Sequence, residues 1–180
     1  MEPAEAAELI AAGVAPGGTW ADLGAGSGTF TRALATLVGA DGTVYAVDRD
    51  AAALGWTRGS DRPEAGGARV VPLVADITER LPLRELDGLL AANALHFVPR
   101  RDQARVLGLL ASYLRPGGAF VLVEYDQRIA TPWVPYPVPP QRFADLARAA
   151  GLTAPREVGR RASRYGPKDI YAAVAHVPGP

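Results

Sequence analysis

The stretch from Thr19 to Phe30 most constrains what this chain can fold into. It reads Thr-Trp-Ala-Asp-Leu-Gly-Ala-Gly-Ser-Gly-Thr-Phe. A short half-apolar run ends in an acid, breaks into glycines at alternate positions, and returns to a helical pattern. That is the pattern of a strand, a tight turn and a helix N-terminus. Glycine suits the turn because a Cβ would block the backbone conformations and close approaches it demands. The following helix, Thr29 to Val38, is expected to carry Phe30, Ala33, Leu34, Leu37 and Val38 on one apolar stripe. A ligand can then lie against bare backbone at the carboxyl end of the first strand, where open α/β sheets bind ligands.

Two ligand classes compete for this loop. The dinucleotide fingerprint spaces its glycines G-x-G-x-x-G, so that the third packs the helix on the strand. Here Gly24, Gly26 and Gly28 run G-x-G-x-G, and Thr29 stands where the third glycine should fall. Asp22 also precedes the first glycine by two residues. A carboxylate beside a pyrophosphate repels it, whereas one beside an amine-bearing ligand attracts it. The D-x-G-x-G-x-G pattern closely resembles the first motif of the class I S-adenosylmethionine-dependent methyltransferases.

The chain has 180 residues, a length that suits a single domain (1–180) with a sizeable core. Its formal net charge is zero, which argues against broad electrostatic capture of nucleic acid. Cysteine is absent, so disulfides, thiolate metal sites, iron–sulfur clusters and cysteine nucleophiles are excluded. Radical S-adenosylmethionine chemistry and cysteine-dependent pyrimidine methylation go with them. Two distant histidines make no transition-metal site, and none is expected. The acidic, alanine-rich start lacks the form of a signal peptide, and no run reaches the ~18 apolar residues of a membrane span. A cytoplasmic protein with no membrane contact is expected.

Along the chain, strands are expected at Thr19–Leu23, Thr43–Asp48, Arg69–Val74, Leu86–Ala92 and Ala119–Glu124. Helices are expected at Pro3–Ala12, Thr29–Val38, Asp50–Trp56, from Asp102 through Leu114, and Pro140–Ala150. Ser60 to Ala68 reads as a loop, and Arg115-Pro116-Gly117-Gly118 as a sharp helix stop. Thr131 to Pro140 carries five prolines and cannot enter a sheet interior. Glu157–Arg164 and Asp169–His176 read as an antiparallel pair around Tyr165-Gly166-Pro167-Lys168. Alternating strands and helices call for a three-layer αβα sandwich on a mostly parallel sheet. The methyltransferase resemblance, which spans Thr19 to Val177, implies seven strands in the order 3-2-1-4-5-7-6, with strand seven antiparallel.

Asp48 closes the second strand, twenty residues after Gly28, where a carboxylate can accept hydrogen bonds from ribose hydroxyls. The resemblance gives it that role, with Gly24, Ala25, Gly26 and Arg49 as neighbours in the cofactor site. It implies further that Asp76 accepts from the adenine amino group and that Ile77 packs on the ring. Asp22 and Asn93 would face the methionine end. The cofactor implied is S-adenosylmethionine, with S-adenosylhomocysteine as product.

Methyl transfer needs chiefly geometry, because the donor is already activated. His96, after the fourth strand, is the one candidate general base, although Leu-His-Phe equally suits a packing segment. Tyr125, Trp133 and Tyr136, with His96, are expected around the acceptor, the proline-rich segment 128–140 forming a stiff wall or a surface crossover. His176 is expected to be structural, and Arg156, Arg160, Arg161 and Arg164 to form a solvated basic face, with a site for an anionic substrate or RNA as the lesser alternative. About eighteen residues precede the first strand, so a roof over the acceptor is expected from the strand-five loop or a second subunit, as in a homodimer, or is missing, which would favour a large substrate such as a protein. The reading is a methyltransferase acting on a small-molecule acceptor. The alternatives are a protein that binds the cofactor without transferring from it and, third, an NAD-dependent oxidoreductase.

Overall fold

The computed structural model describes residues 1–58, 65–163 and 168–179. In chain order the elements are α1 (Pro3–Ile10), β1 (Thr19–Leu23), α2 (Thr29–Val38), β2 (Thr43–Asp48), β3 (Arg69–Val74), β4 (Leu86–Ala92), α3 (Gln103–Ala111), β5 (Leu114–Tyr125), α4 (Pro140–Ala149), β6 (Arg156–Ala162) and β7 (Asp169–His176). The strands form one sheet in the order β3-β2-β1-β4-β5-β7-β6. Neighbours among β1 to β5 run parallel, and β7 runs antiparallel to both β5 and β6. The order and the reversed strand are those expected.

Apolar residues at successive positions of the central strands make the sheet a buried middle layer, since alternate side chains point to opposite faces. Leu89 and Ala91 of β4, with Phe120 and Leu122 of β5, pack with Val106, Leu107 and Leu110 of α3 and Phe143 and Leu146 of α4. The intervening Leu90, Ala92, Val121 and Val123 pack on the other side with Leu9 and Ile10 of α1 and Leu34 and Val38 of α2. The Phe120 and Phe143 rings lie 6.2 Å apart, tilted, and both are fully buried. Each such ring stabilises the fold by about 2–3 kcal/mol.

Several local expectations are corrected. Residues 50–56 do not form an α-helix. Asp50 accepts the Ala52 N–H on its own carboxylate, and a single 3₁₀ turn follows at Ala53–Thr57. α3 ends at Ala111 rather than Leu114, and Arg115-Pro116-Gly117-Gly118 lies inside β5 instead of stopping a helix. The reason is pairing: Leu114 is registered with Leu86, and the bulge between Leu86 and Gly88 absorbs the extra residues. On α2 the fully buried residues include Thr31 and Ala35, while Phe30 and Leu37 are only partly buried. Part of the expected Ser60–Ala68 loop, Arg164 and most of the hairpin turn Tyr165–Lys168 lie outside the described residues.

The parallel register decides where chemistry can occur. Asp48 pairs with Val74, Leu23 with Val47 and Ala91, and Ala92 with Val123. The carboxyl ends of β1 to β5 therefore share one edge, and the residues just past them are brought together.

Candidate active site

The glycine loop is braced from within. The Gly24 and Ala25 N–H groups both donate to the Val47 carbonyl, at 2.8 and 2.9 Å. The Gly26 N–H donates to Asp48 Oδ2 at 2.8 Å, and the Gly28 N–H to the Ala25 carbonyl at 2.9 Å. These four amides are occupied, so they do not form the open nest of donors that cradles a pyrophosphate. Gly24 (φ +79°) has no room for a side chain, since a Cβ there would lie 2.9 Å from the Ala94 Cβ. Gly28 (φ +83°) lies against the Trp56 indole, and a Cβ there would come within 2.3 Å of the ring. The Trp56 Nε1–H donates to the Gly26 carbonyl at 3.0 Å, and the Arg32 guanidinium stacks over the ring at 4.8 Å. The third glycine thus makes room for an indole on the loop, a contact the sequence analysis missed.

Three acids lie at or just past the carboxyl ends of three neighbouring strands along the edge. Asp22 of β1 is 1% exposed. Its Oδ2 accepts from the Thr31 hydroxyl at 2.6 Å, while its Oδ1 is buried without a partner. Burial, with a smaller contribution from the Asp48 charge, pushes its carboxyl up to about 7 against the Thr31 hydrogen bond. Asp48 is half-buried, and its two oxygens accept the Gly26 and Asp50 N–H groups, at 2.8 and 2.9 Å. Each oxygen keeps a second lone pair for a ligand hydroxyl. Asp76 accepts the Thr78 N–H and hydroxyl on Oδ1, at 2.8 and 2.7 Å, which holds its carboxyl below the usual range. Among the described residues its Oδ2 makes no hydrogen bond, and Ile77 beside it is half-buried. Arg49 is exposed and acts weakly on Asp76 through its charge.

Asn93 follows β4 in a left-handed conformation (φ +53°), fixed by its N–H bond to the Val123 carbonyl at 2.9 Å. Its Oδ1 is buried and unpartnered, like that of Asp22. A strained backbone and two orphaned buried oxygens on adjacent strands mark a place that needs donors supplied from outside the chain. An amine fits that place. Asn93 also lines a small hollow of about 60 Å³ with Phe30, Tyr125 and Ile170.

His96 is 2% exposed, on the 3₁₀ turn Leu95–Phe97. Its Nδ1 lies 2.6 Å from Oε2 of Glu124, and its backbone N–H donates to Oε1 at 3.1 Å. Glu124, on β5, is fully buried and was not singled out in the sequence because it sits in an apolar run. The 2.6 Å contact shares one hydrogen between His96 Nδ1 and the Glu124 carboxyl and fixes the ring's orientation. The His96 carbonyl accepts the Tyr136 N–H at 3.1 Å, tying the turn after β4 to the proline-rich segment.

That segment presents Trp133 on a tight turn. Thr131 and Val134 exchange N–H···O bonds of 3.1 Å, and the indole at the tip is 84% exposed. Trp133 and Tyr125 line a cleft of about 1060 Å³ beyond the end of β5. Tyr136 and His96 are not among its lining residues. The arginine cluster is largely occupied. Arg160 pairs with Glu157 and Asp126, Arg161 with Glu5, and Arg156 donates to the Ala12 carbonyl. His176 lies at the opposite end of the sheet, paired with Ala119.

A family model described as a methyltransferase domain matches residues 21–118. The chain is 36% identical over 112 residues to the rRNA 2'-O-methyltransferase fibrillarin 2 of Arabidopsis thaliana, covering 61% of this chain and 33% of that protein. It is 32% identical over 129 residues to the ubiquinone/menaquinone biosynthesis C-methyltransferase UbiE of Laribacter hongkongensis, covering 71% of this chain and 50% of that one. The chain thus spans a third to a half of these curated relatives. Among solved structures, the 1,6-didemethyltoxoflavin-N1-methyltransferase of Burkholderia thailandensis superposes with a TM-score of 0.75 at 21% identity, over 98% of this chain and 78% of that one. With the braced glycine loop and the acids at the strand ends, the family match over more than half the chain leads to one conclusion: this chain belongs to the class I S-adenosylmethionine-dependent methyltransferases.

Proposed function

We propose that this chain binds S-adenosylmethionine across the carboxyl edge of the sheet and methylates a small-molecule acceptor held beyond β5. The observation that carries the reading is the run of Asp22, Asp48 and Asp76 at the ends of three neighbouring strands, beside a glycine loop in which the Gly24, Ala25, Gly26 and Gly28 amides are occupied. Such an edge rejects a pyrophosphate and accepts a ligand that offers an amine and hydroxyls.

Asp76 Oδ2 and Ile77 would hold the adenine, Asp48 the ribose, and Asp22 with Asn93 the ammonium and its surroundings. Ala25 and Arg49 complete the loop side of the site. When bound, the cofactor supplies an activated methyl group on a sulfonium, open to in-line displacement by the acceptor. The chain's task is orientation, because two groups held in register react as if at very high local concentration. His96 serves best as a post for the acceptor wall. Its ring is buried and anchored on Glu124, and its carbonyl holds Tyr136. A general-base role would require Nε2 to meet the acceptor.

Asp48→Ala tests the assignment. Affinity for S-adenosylhomocysteine is expected to fall at least about tenfold, the cost of two lost charge-assisted hydrogen bonds. An unchanged dissociation constant in a folded variant would refute the ribose role.

A further inference from the structure

Resting on that proposed function, we infer that the acceptor is an apolar molecule carrying an anionic group, its apolar body on Trp133 and Ile129 and its charge facing Arg128 and Lys168. The cleft beyond β5 is large enough for a whole small molecule, at about 1060 Å³. Tyr125 lines both this cleft and the small hollow that holds Asn93, so the two spaces adjoin at that residue.

The apolar side of the argument is exposure. Trp133 is 84% and Ile129 81% exposed, the two most exposed large apolar side chains among the described residues, and they lie four positions apart. Both belong to one short segment after β5, and the Thr131–Val134 bridge holds the indole out in a fixed turn. A rigid aromatic platform binds a flat apolar body at low entropic cost.

The charged side is an imbalance within the same walls. Among the described lining residues Asp126 is the one carboxylate, and it pairs at 2.8 Å with the Arg160 guanidinium, which also holds Glu157 at 2.7 Å and Asp169 at 3.5 Å. Arg128 and Lys168, the only lysine of the chain, line the cleft as well. Among the described residues neither has an ion-pair partner. The cleft therefore offers two cations to whatever apolar ligand enters, and such walls favour a carboxylate over a neutral or cationic isostere.

The test uses 2-naphthoate, 2-naphthamide and 2-naphthylmethylammonium as probes, followed by calorimetry on the wild-type chain with S-adenosylhomocysteine present. The acid is expected to bind about fivefold or more tightly than the amide and the ammonium compound least, with the acid's advantage shrinking in high salt. In Arg128→Gln/Lys168→Gln the acid and amide are expected to bind alike, while S-adenosylhomocysteine affinity is unchanged. Trp133→Ala is expected to weaken all three probes. Equal affinity for acid and amide in the wild type would overturn the inference, and so would a preference that survives the double substitution or binding of no probe. Failure to bind S-adenosylhomocysteine would instead strike the methyltransferase reading, and is read separately in the same titrations.

Discussion

Asp22→Asn should raise stability and weaken ligand capture in one step, with opposite pH dependences. The buried carboxyl of Asp22 titrates at about 7 in the ligand-free fold against 3.8 ordinarily. The folded chain thus keeps a proton that the unfolded chain releases, and between these values folding is favoured by low pH. The stabilisation is complete below about pH 4 and is lost as pH rises through 7. The gap of about three pH units corresponds to ~4 kcal/mol of stability missing at pH 8 relative to a permanently neutral side chain. Asparagine is such a side chain, and it can still accept the Thr31 hydroxyl. Its melting temperature at pH 8 should exceed that of the wild type by on the order of 10 °C, and the two should converge near pH 4. Affinity for S-adenosylhomocysteine should behave in the reverse sense. Its ammonium stays charged as pH is lowered from 7 to 5, while the ionised fraction of Asp22 drops from about one half to one hundredth, so wild-type affinity should fall about fiftyfold from pH 7 to pH 5. The variant should bind weakly and without that slope. Thermal unfolding at pH 4 and 8, with titrations at pH 5, 6 and 7, reads both effects. An equal melting temperature at pH 8, or a wild-type affinity flat across pH 5 to 7, would refute the reasoning.

Other positions give sharper single readouts. Gly28→Ala adds a Cβ within 2.3 Å of the Trp56 ring at a positive φ, and is expected to cost about 1–3 kcal/mol in denaturant unfolding; a variant as stable as wild type would remove the buttress role of Trp56. Asn93→Gly relieves the left-handed backbone strain but deletes the orphaned Oδ1. The melting temperature should hold or rise while S-adenosylhomocysteine affinity falls several-fold, and unaltered affinity would take Asn93 out of the site. Glu124→Leu leaves His96 without its buried carboxylate, and is expected to cost about 2–4 kcal/mol and to loosen Tyr136 in hydrogen exchange; full protection there would show the dyad to be dispensable.

How far the sequence could be read depended on whether a feature is set along the chain or across it. A strand followed by a tight turn fixes the location of its last residues, so Asp22, Asp48 and Asp76 could be placed at strand ends from spacing alone. The order of the sheet followed from alternation and the family resemblance. Partners chosen by tertiary packing could not be read in the same way. Thr31 reaches Asp22 only because α2 folds back over β1. Glu124 is masked by the apolar run around it and finds His96 through the pairing of β4 with β5. Trp56 meets Gly28 across a loop that carries no periodic signal. The proline-glycine stretch at 115–118 is a strong breaker locally, yet Leu86 pairing with Leu114 draws it into a strand. Helix signals that lose to strand pairing in this way are visible only in the assembled sheet.

The most direct measurement of the central claim is a parallel calorimetric titration of the wild-type chain with S-adenosylmethionine, S-adenosylhomocysteine and NAD. Micromolar binding of both sulfur ligands, with none of NAD, is the predicted result. Binding of NAD, or of neither sulfur ligand, would contradict it, because the three acids and the occupied glycine-loop amides would then be holding something else.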